Sequence, residues 1–271
     1  MAGILGKENT IASPGFNRWL VPPAALAIHL SIGMAYGFSV FWKPLGNALK
    51  DGAGDPVASC SAGAATFGDK LAGTAKALFA TDCNWTQFDL GWMFTLFFVL
   101  LGCSAAIFGG WLEREGPRKT GFVSAILWAG GLLISAYGIY VHQLWLLWLG
   151  SGVIGGIGLG LAYISPVSTL IKWFPDHRGM ATGMAIMGFG GGAMIGSPIA
   201  TKLMAHFSEA GGAGVWQTFV ILGIIYFIFM VSGSFGYRIP ATGWKPEGWN
   251  PPAKTENVMI ASKHVHLNNA H

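Results

Sequence analysis

The chain has 271 residues, of which 52% are hydrophobic and only 10% charged. Soluble domains carry about 25% charged residues, so a water-soluble fold is excluded. The net charge of +4 is scattered between apolar stretches, which excludes a nucleic-acid surface, and three cysteines are too few for a disulfide scaffold. An integral membrane protein with the lipid bilayer as its surroundings remains.

Residues 1–18 form a polar tail, expected on the cytoplasmic side. Six uncharged stretches follow, each with the roughly 20 apolar residues that a membrane-crossing helix needs: Trp19–Trp42, Leu90–Leu112, Thr120–Val141, Gln143–Ile171, Gly179–Thr201 and Ala210–Tyr237. The first is too long for a cleaved signal peptide, and no small-residue cleavage site follows it. Nor do the stretches show the alternation of a membrane β-barrel. An all-α integral membrane fold of six transmembrane helices is predicted, its bundle covering residues 19–237.

Short-loop charges set the orientation. Arg114, Arg118 and Lys119 join spans 2 and 3, and Lys172 and Arg178 join spans 4 and 5; the opposite connections carry Lys202 alone. Both termini are therefore expected in the cytoplasm, with residues 43–86 outside. That outer segment is rich in Gly, Ala and Asp, and Phe67–Phe79 is expected to form a short helix over the membrane surface. Cys60 and Cys83 both fall there, in an oxidising compartment if the membrane is a bacterial inner membrane, and are expected to pair. Cys103, in span 2, is expected to be a small buried packing residue. Residues 238–271 read as a cytoplasmic linker broken by Pro240, Pro246, Pro251 and Pro252, from which a natural continuation of the chain is expected. His264, His266 and His271 read as a water-exposed tail, not a metal site.

Glycines crowd spans 4 and 5. Gly152, Gly156 and Gly160, and again Gly188, Gly192 and Gly196, recur every four residues and lay a flat strip along one helix face. Pro166 and Pro198 are expected to kink these spans. The run Gly188–Ala193 imitates a dinucleotide-binding turn, but no strand precedes it, and no cofactor is expected. Neither His-Glu-x-x-His nor Gly-x-Ser-x-Gly occurs, so an enzyme is not expected either.

The connection after span 2 reads Gly109-Gly110-Trp111-Leu112-Glu113-Arg114-Glu115-Gly116-Pro117-Arg118-Lys119. It resembles the signature loop of the major facilitator superfamily, with Glu113 where Asp is usual and Pro117 where the first closing base is usual. Together with Asn17-Arg18-Trp19, Tyr36-Gly37-Phe38 and the connection Lys172-Trp173-Phe174-Pro175-Asp176-His177-Arg178-Gly179, the sequence resembles the oxalate:formate antiporter family of that superfamily.

The resemblance implies the amino-terminal six-helix half of a twelve-helix carrier, partnered by a carboxy-terminal half and handling small organic anions such as mono- or dicarboxylates by exchange or with protons. It also implies an anion cavity lined by Tyr36, Tyr163 and Phe189. His29, the one ionisable side chain well inside a span, joins them as a candidate. Gly109, Glu113, Arg114, Gly116, Arg118, Asp176 and Arg178 are expected to govern gating. A self-pairing half-size carrier, and a sensor or assembly protein that kept a transporter fold, are the competing readings.

Overall fold

The computed structural model describes residues 3–208 and 213–250; His264, His266 and His271 lie outside them. Among the described residues six helices are long and apolar enough to cross a membrane: Arg18–Gly46, Gln87–Glu115, Pro117–Tyr140, Leu144–Trp173, Arg178–Ser208 and Val215–Gly236, here called spans 1 to 6. Spans 1, 3 and 5 end, and spans 2, 4 and 6 begin, on one face, the loop face; the opposite face gathers the N-terminal tail and the basic connections. Span 1 packs on spans 5 and 6, span 2 on span 4, and span 3 on spans 4 and 6.

Small residues make this packing possible. Gly156 on span 4 lies so close to span 2 that a Cβ there would stand 2.8 Å from the Phe97 carbonyl oxygen, and at Gly160 it would stand 2.5 Å from that of Leu101. The second strip, Gly188–Gly192–Gly196, faces span 1. Both predicted strips are thus crossing points.

The helical irregularities lie elsewhere than the prolines suggested. Span 5 continues through Pro198, and Pro166 sits within the regular part of span 4. Instead, Gly33–Phe41 of span 1 is wound as a 3-10 helix and Trp148–Gly155 of span 4 as a π-helix. Runs of 3-10 helix beyond three or four residues are uncommon, and mid-helix departures often mark hinges or functional sites.

On the loop face, residues 47–86 between spans 1 and 2 fold against the bundle. The pairs Thr66/Asp69 and Thr86/Asp89 form reciprocal capping boxes that start the loop helix Phe67–Ala77 and span 2. Asn84 ties the strand-like segments together: its side chain accepts from Leu49 N (2.8 Å) and donates to the carbonyls of Leu49 and Val57 at 2.9 and 2.8 Å. Cys60 and Cys83 are disulfide-bonded across a separation of 23 residues. Trp85 is stacked on His142 at 4.4 Å, and the His142 ring donates from Nε2 to the Cys83 carbonyl at 3.0 Å. Cys103 is exposed rather than buried. It lies on the side of span 2 away from span 4, and only 22% of that span's apolar window is covered by protein.

Across the opposite face the N-terminal tail is ordered. Ile239 N donates to the Thr10 carbonyl (2.8 Å) and Ala12 N to the Ile239 carbonyl (2.9 Å), so the tail pairs with the segment leaving span 6. Phe16 packs on Trp173 at 5.4 Å. Residues 242–250 form a separate unit with its own turn, in which Trp249 N donates to the Pro246 carbonyl.

Candidate functional site

Counted from the ends of their helices, three of the expected cavity residues lie at one depth. His29 is eleven residues into span 1, Phe189 eleven into span 5, and Tyr163 ten from the end of span 4. At 1.5 Å per residue each is about 15–16 Å from the terminal face, the middle of a hydrocarbon layer about 30 Å thick.

The structure brings all four together. Phe189 is central, with its ring 5.4 Å from Tyr163, 4.8 Å from Tyr36 and 6.2 Å from His29. Tyr36, on the 3-10 segment, is 53% exposed, whereas Phe189 is buried and His29 fully so. Phe98 of span 2 extends the cluster, 6.1 Å from Tyr36. Nothing in the sequence distinguishes this phenylalanine from its neighbours Phe94 and Phe97.

His29 is held on both sides by backbone: Nδ1 is 2.8 Å from the Ala185 carbonyl oxygen and Nε2 3.3 Å from that of Tyr163. A neutral ring has one N–H to donate, and the shorter contact places it on Nδ1. His29 thus ties span 1 to span 5 by a hydrogen bond and packs its ring on Tyr163 of span 4 at 5.7 Å, and in this conformation no ring nitrogen is turned to the exposed side of the cluster.

The signature connection collapses to a single non-helical residue. Glu113, Arg114 and Glu115 complete the last turn of span 2, and Pro117 opens span 3. Gly116 between them has φ +92°, a conformation that glycine alone adopts freely, and the Lys7 side chain lies directly over it. Glu113 accepts from Lys172 Nζ (2.7 and 2.9 Å) and from Ser168 Oγ (2.9 Å), joining spans 2 and 4. Arg118 is buried, donating to the carbonyls of Ile4 (3.0 Å) and Tyr237 (3.4 Å). Arg114 and Arg178 are exposed at the ends of spans 2 and 5, and Gly109 faces open space.

Asp176 makes a forked charged contact on this face. Arg18 meets it with two parallel hydrogen bonds of 2.9 Å each, and its guanidinium lies over the Phe174 ring at 4.7 Å. The Arg18 bonds hold the Asp176 carboxyl down to about 2, from 3.8, with His177 contributing. In the sequence Arg18 and Lys172 stood out only as parts of the resembling motifs and of the loop-charge pattern, and Ser168 not at all. Their signal was present as opposite charges at span ends, but which acid met which base depended on the packing.

Hydrogen bonds to charged groups contribute about 1.5–3 kcal/mol, and the paired fork is the strong geometry. Arg18→Ala and Asp176→Asn should each lower stability by about that amount, and the double variant by no more than either alone. Because the carboxyl is depressed, this contribution is complete above about pH 4 and disappears as the pH falls toward 2. Additive losses in a thermal-unfolding cycle at pH 7 would contradict the pairing.

With this geometry in view, the family comparison is decisive. Residues 58–267 match the model of the Major Facilitator Superfamily.

The chain belongs to the major facilitator superfamily. It is accordingly a multi-pass membrane protein of a transporter family rather than an enzyme family. Among curated relatives it is 30% identical over 146 residues to the MFS-type transporter YhjX of Escherichia coli, covering 54% of this chain and 34% of that protein. It is 27% identical to apicoplast pyruvate carrier 1 of Toxoplasma gondii, over 49% of this chain and 28% of the carrier. With the oxalate:formate antiporter of Oxalobacter formigenes the identity is 29%, over 54% and 33%. The chain spans about a third of the length of these facilitator relatives. Among the described residues no cluster of His, Cys, Asp or Glu could hold a metal ion.

Proposed function

We propose that this chain forms the amino-terminal half of a secondary carrier for small organic anions, mono- or dicarboxylates, of the oxalate:formate antiporter kind. The observation that carries the reading is the mid-depth cluster of Tyr36, Tyr163 and Phe189, with Tyr36 open on one side. A phenol offers an apolar ring to the carbon skeleton and a donor to the carboxylate. The pyruvate and oxalate:formate carriers among the relatives support the substrate class.

A carboxylate leaving water needs a fixed cation or several donors. The spans supply no lysine or arginine at the depth of this cluster, so the reading assigns the counter-charge to a second six-helix unit. Room for such a unit is consistent with Gly91, Gly102 and Gly109 on span 2 and Gly183 and Gly190 on span 5, where an added Cβ would meet nothing within 4 Å. We place the basic connections on the cytoplasmic side of a bacterial inner membrane, and assign the Glu113–Lys172 pair to gating.

Exchange of labelled oxalate, formate and pyruvate in proteoliposomes tests the reading. The chain by itself is expected to give no exchange, and co-expression with a six-helix carboxy-terminal half is expected to give it. Tyr36→Phe or Tyr163→Phe should then weaken binding by about 10- to 100-fold, the loss of one hydrogen bond to a charge. Glu113→Ala should slow turnover with affinity unchanged. Robust exchange by the chain alone would favour a self-pairing half-size carrier; binding without flux would favour a sensor.

A further inference from the structure

The loop helix Phe67–Ala77 plays no part in the reading above, yet its placement is closely determined. At its start Phe67 meets Phe88 edge-on at 5.8 Å, and Phe88 lies in the first turn of span 2. Just past its end the Leu78 carbonyl accepts from Trp145 N at 3.3 Å, and Trp145 lies in the first turn of span 4. Between these points Thr74 Oγ1 donates to Asp89, again in the first turn of span 2. Contacts at both ends and in the middle, all at the level where spans begin, hold the helix flat along the loop face.

Its two long sides differ. Gly73, Thr74 and Ala77 are buried against the protein. Phe67, Leu71 and Ala75 recur every fourth residue, which places them along one side of the helix, Phe79 follows just past its end, and all four are exposed, Phe67 and Phe79 at 63% and 70%. The stripe runs on through Phe88 to Trp92, whose rings are 6.1 Å apart, on the little-covered side of span 2. Asp69 and Lys76 occupy the exposed sector away from the stripe, and the exposed Lys70 lies one turn before Thr74 at the edge of the buried side. The helix is therefore divided lengthwise into a protein side, an apolar side continuous with a membrane-spanning surface, and a charged side.

We propose that Phe67–Ala77 is an interfacial membrane helix, whose stripe is sunk between headgroups and acyl chains of the leaflet on the loop face. Interfacial helices bind through this combination of an apolar face and a charged one, and Trp92 and Trp145 stand where aromatic belts form. The inference rests on the membrane setting of the superfamily and not on the identity of the transported anion. It makes the disulfide-closed loop a part of the bilayer surface that moves with spans 2 and 4.

Nitroxide accessibility of the full chain in phosphatidylcholine vesicles tests this. Single labels are placed at Ala75→Cys, Asp69→Cys and Val99→Cys in a Cys103→Ser background with Cys60–Cys83 kept oxidised. Val99, exposed in the body of span 2, reports whether the chain is inserted. The expected result is an oxygen-to-nickel-chelate collision ratio severalfold higher at 75 than at 69, and approaching that at 99. With position 99 shielded from nickel, equal nickel access at 75 and 69 would overturn the proposal. So would a label at 75 shielded from both reagents, which would mean that a second copy or another protein covers the stripe.

Discussion

Gly192→Leu should abolish the folded bundle. Spans 1 and 5 cross backbone on backbone at this point: a Cβ on Gly192 would collide with the Leu30 carbonyl oxygen and stand 2.6 Å from Gly33 Cα. These atoms belong to helix backbones and cannot rotate aside as a side chain would. Even Gly192→Ala should therefore cost about 1–3 kcal/mol, the usual cost of overfilling a packed interior, although alanine is by itself the better helix former by about 1 kcal/mol. Gly190, two residues away on the same helix, meets nothing within 4 Å, and Gly190→Ala should be neutral or stabilising. The contrast separates the crossing from helix propensity. Monodisperse, thermally stable Gly192→Leu protein in detergent would show that the spans can part here without loss of the fold.

Much of this architecture was legible because membrane insertion imposes strong rules. Six long apolar stretches could only be helices, and most of their ends lie within four residues of the expected ones, as in span 2, from Leu90–Leu112 to Gln87–Glu115, whereas span 5 runs on to Ser208 and span 6 starts at Val215. Four-residue glycine spacing identified the crossing faces because only glycine lets backbones approach so closely. The winding was not legible. The 3-10 stretch Gly33–Phe41 contains no proline, and it carries Tyr36 to the side of Phe189; the close approach of Gly33 to span 5, visible only in three dimensions, accompanies it. Prolines drew attention to spans 4 and 5, yet Pro198 is accommodated in a continuous helix.

The site divides in the same way. Tyr36, Tyr163 and Phe189 were named by the family resemblance and His29 as the one ionisable side chain well inside a span, and the four converge. The hydrogen bond from His29 Nδ1 to the Ala185 carbonyl depends on an atom that every residue possesses, so no sequence pattern announces it. On the terminal face, Glu113 and Asp176 were recognisable as acids in basic surroundings. Their partners Lys172 and Arg18 lie 59 and 158 residues away, and such pairings follow from which spans neighbour each other. The order of the N-terminal tail, with Ile4 and Lys7 folded over the start of span 3, was likewise invisible, because a short polar segment carries no apolar periodicity to reveal it.

Among the contacts that keep the residue 47–86 loop folded and docked, two should produce distinct effects on one readout when removed. The Cys60–Cys83 bond closes a separation of 23 residues, for which chain entropy gives a contribution of about 3.4 kcal/mol. Cys60→Ser with Cys83→Ser should lower the loop's local stability by up to that amount and leave the spans intact. The second device is the stack of Trp85 on His142. Burial pushes the His142 imidazole below its ordinary value of 6.5, against the Cys83 carbonyl hydrogen bond that favours the proton. The released loop therefore binds more protons than the docked one at any pH below about 6.5. Docking is at full strength above that pH and weakens as the pH falls. With the disulfide present, the loop should stay protected from hydrogen exchange at the Cys60 and Asn84 amides, which donate to Asn84 and Ala58 carbonyls, from pH 8 to 5. Without it, protection should fall as the pH drops below about 6.5. His142 has φ +51°, a conformation that asparagine tolerates well, so His142→Asn in the disulfide-free chain should remove the pH dependence without straining the backbone. Protection that still falls with pH in this variant would assign the acid sensitivity to a group other than His142.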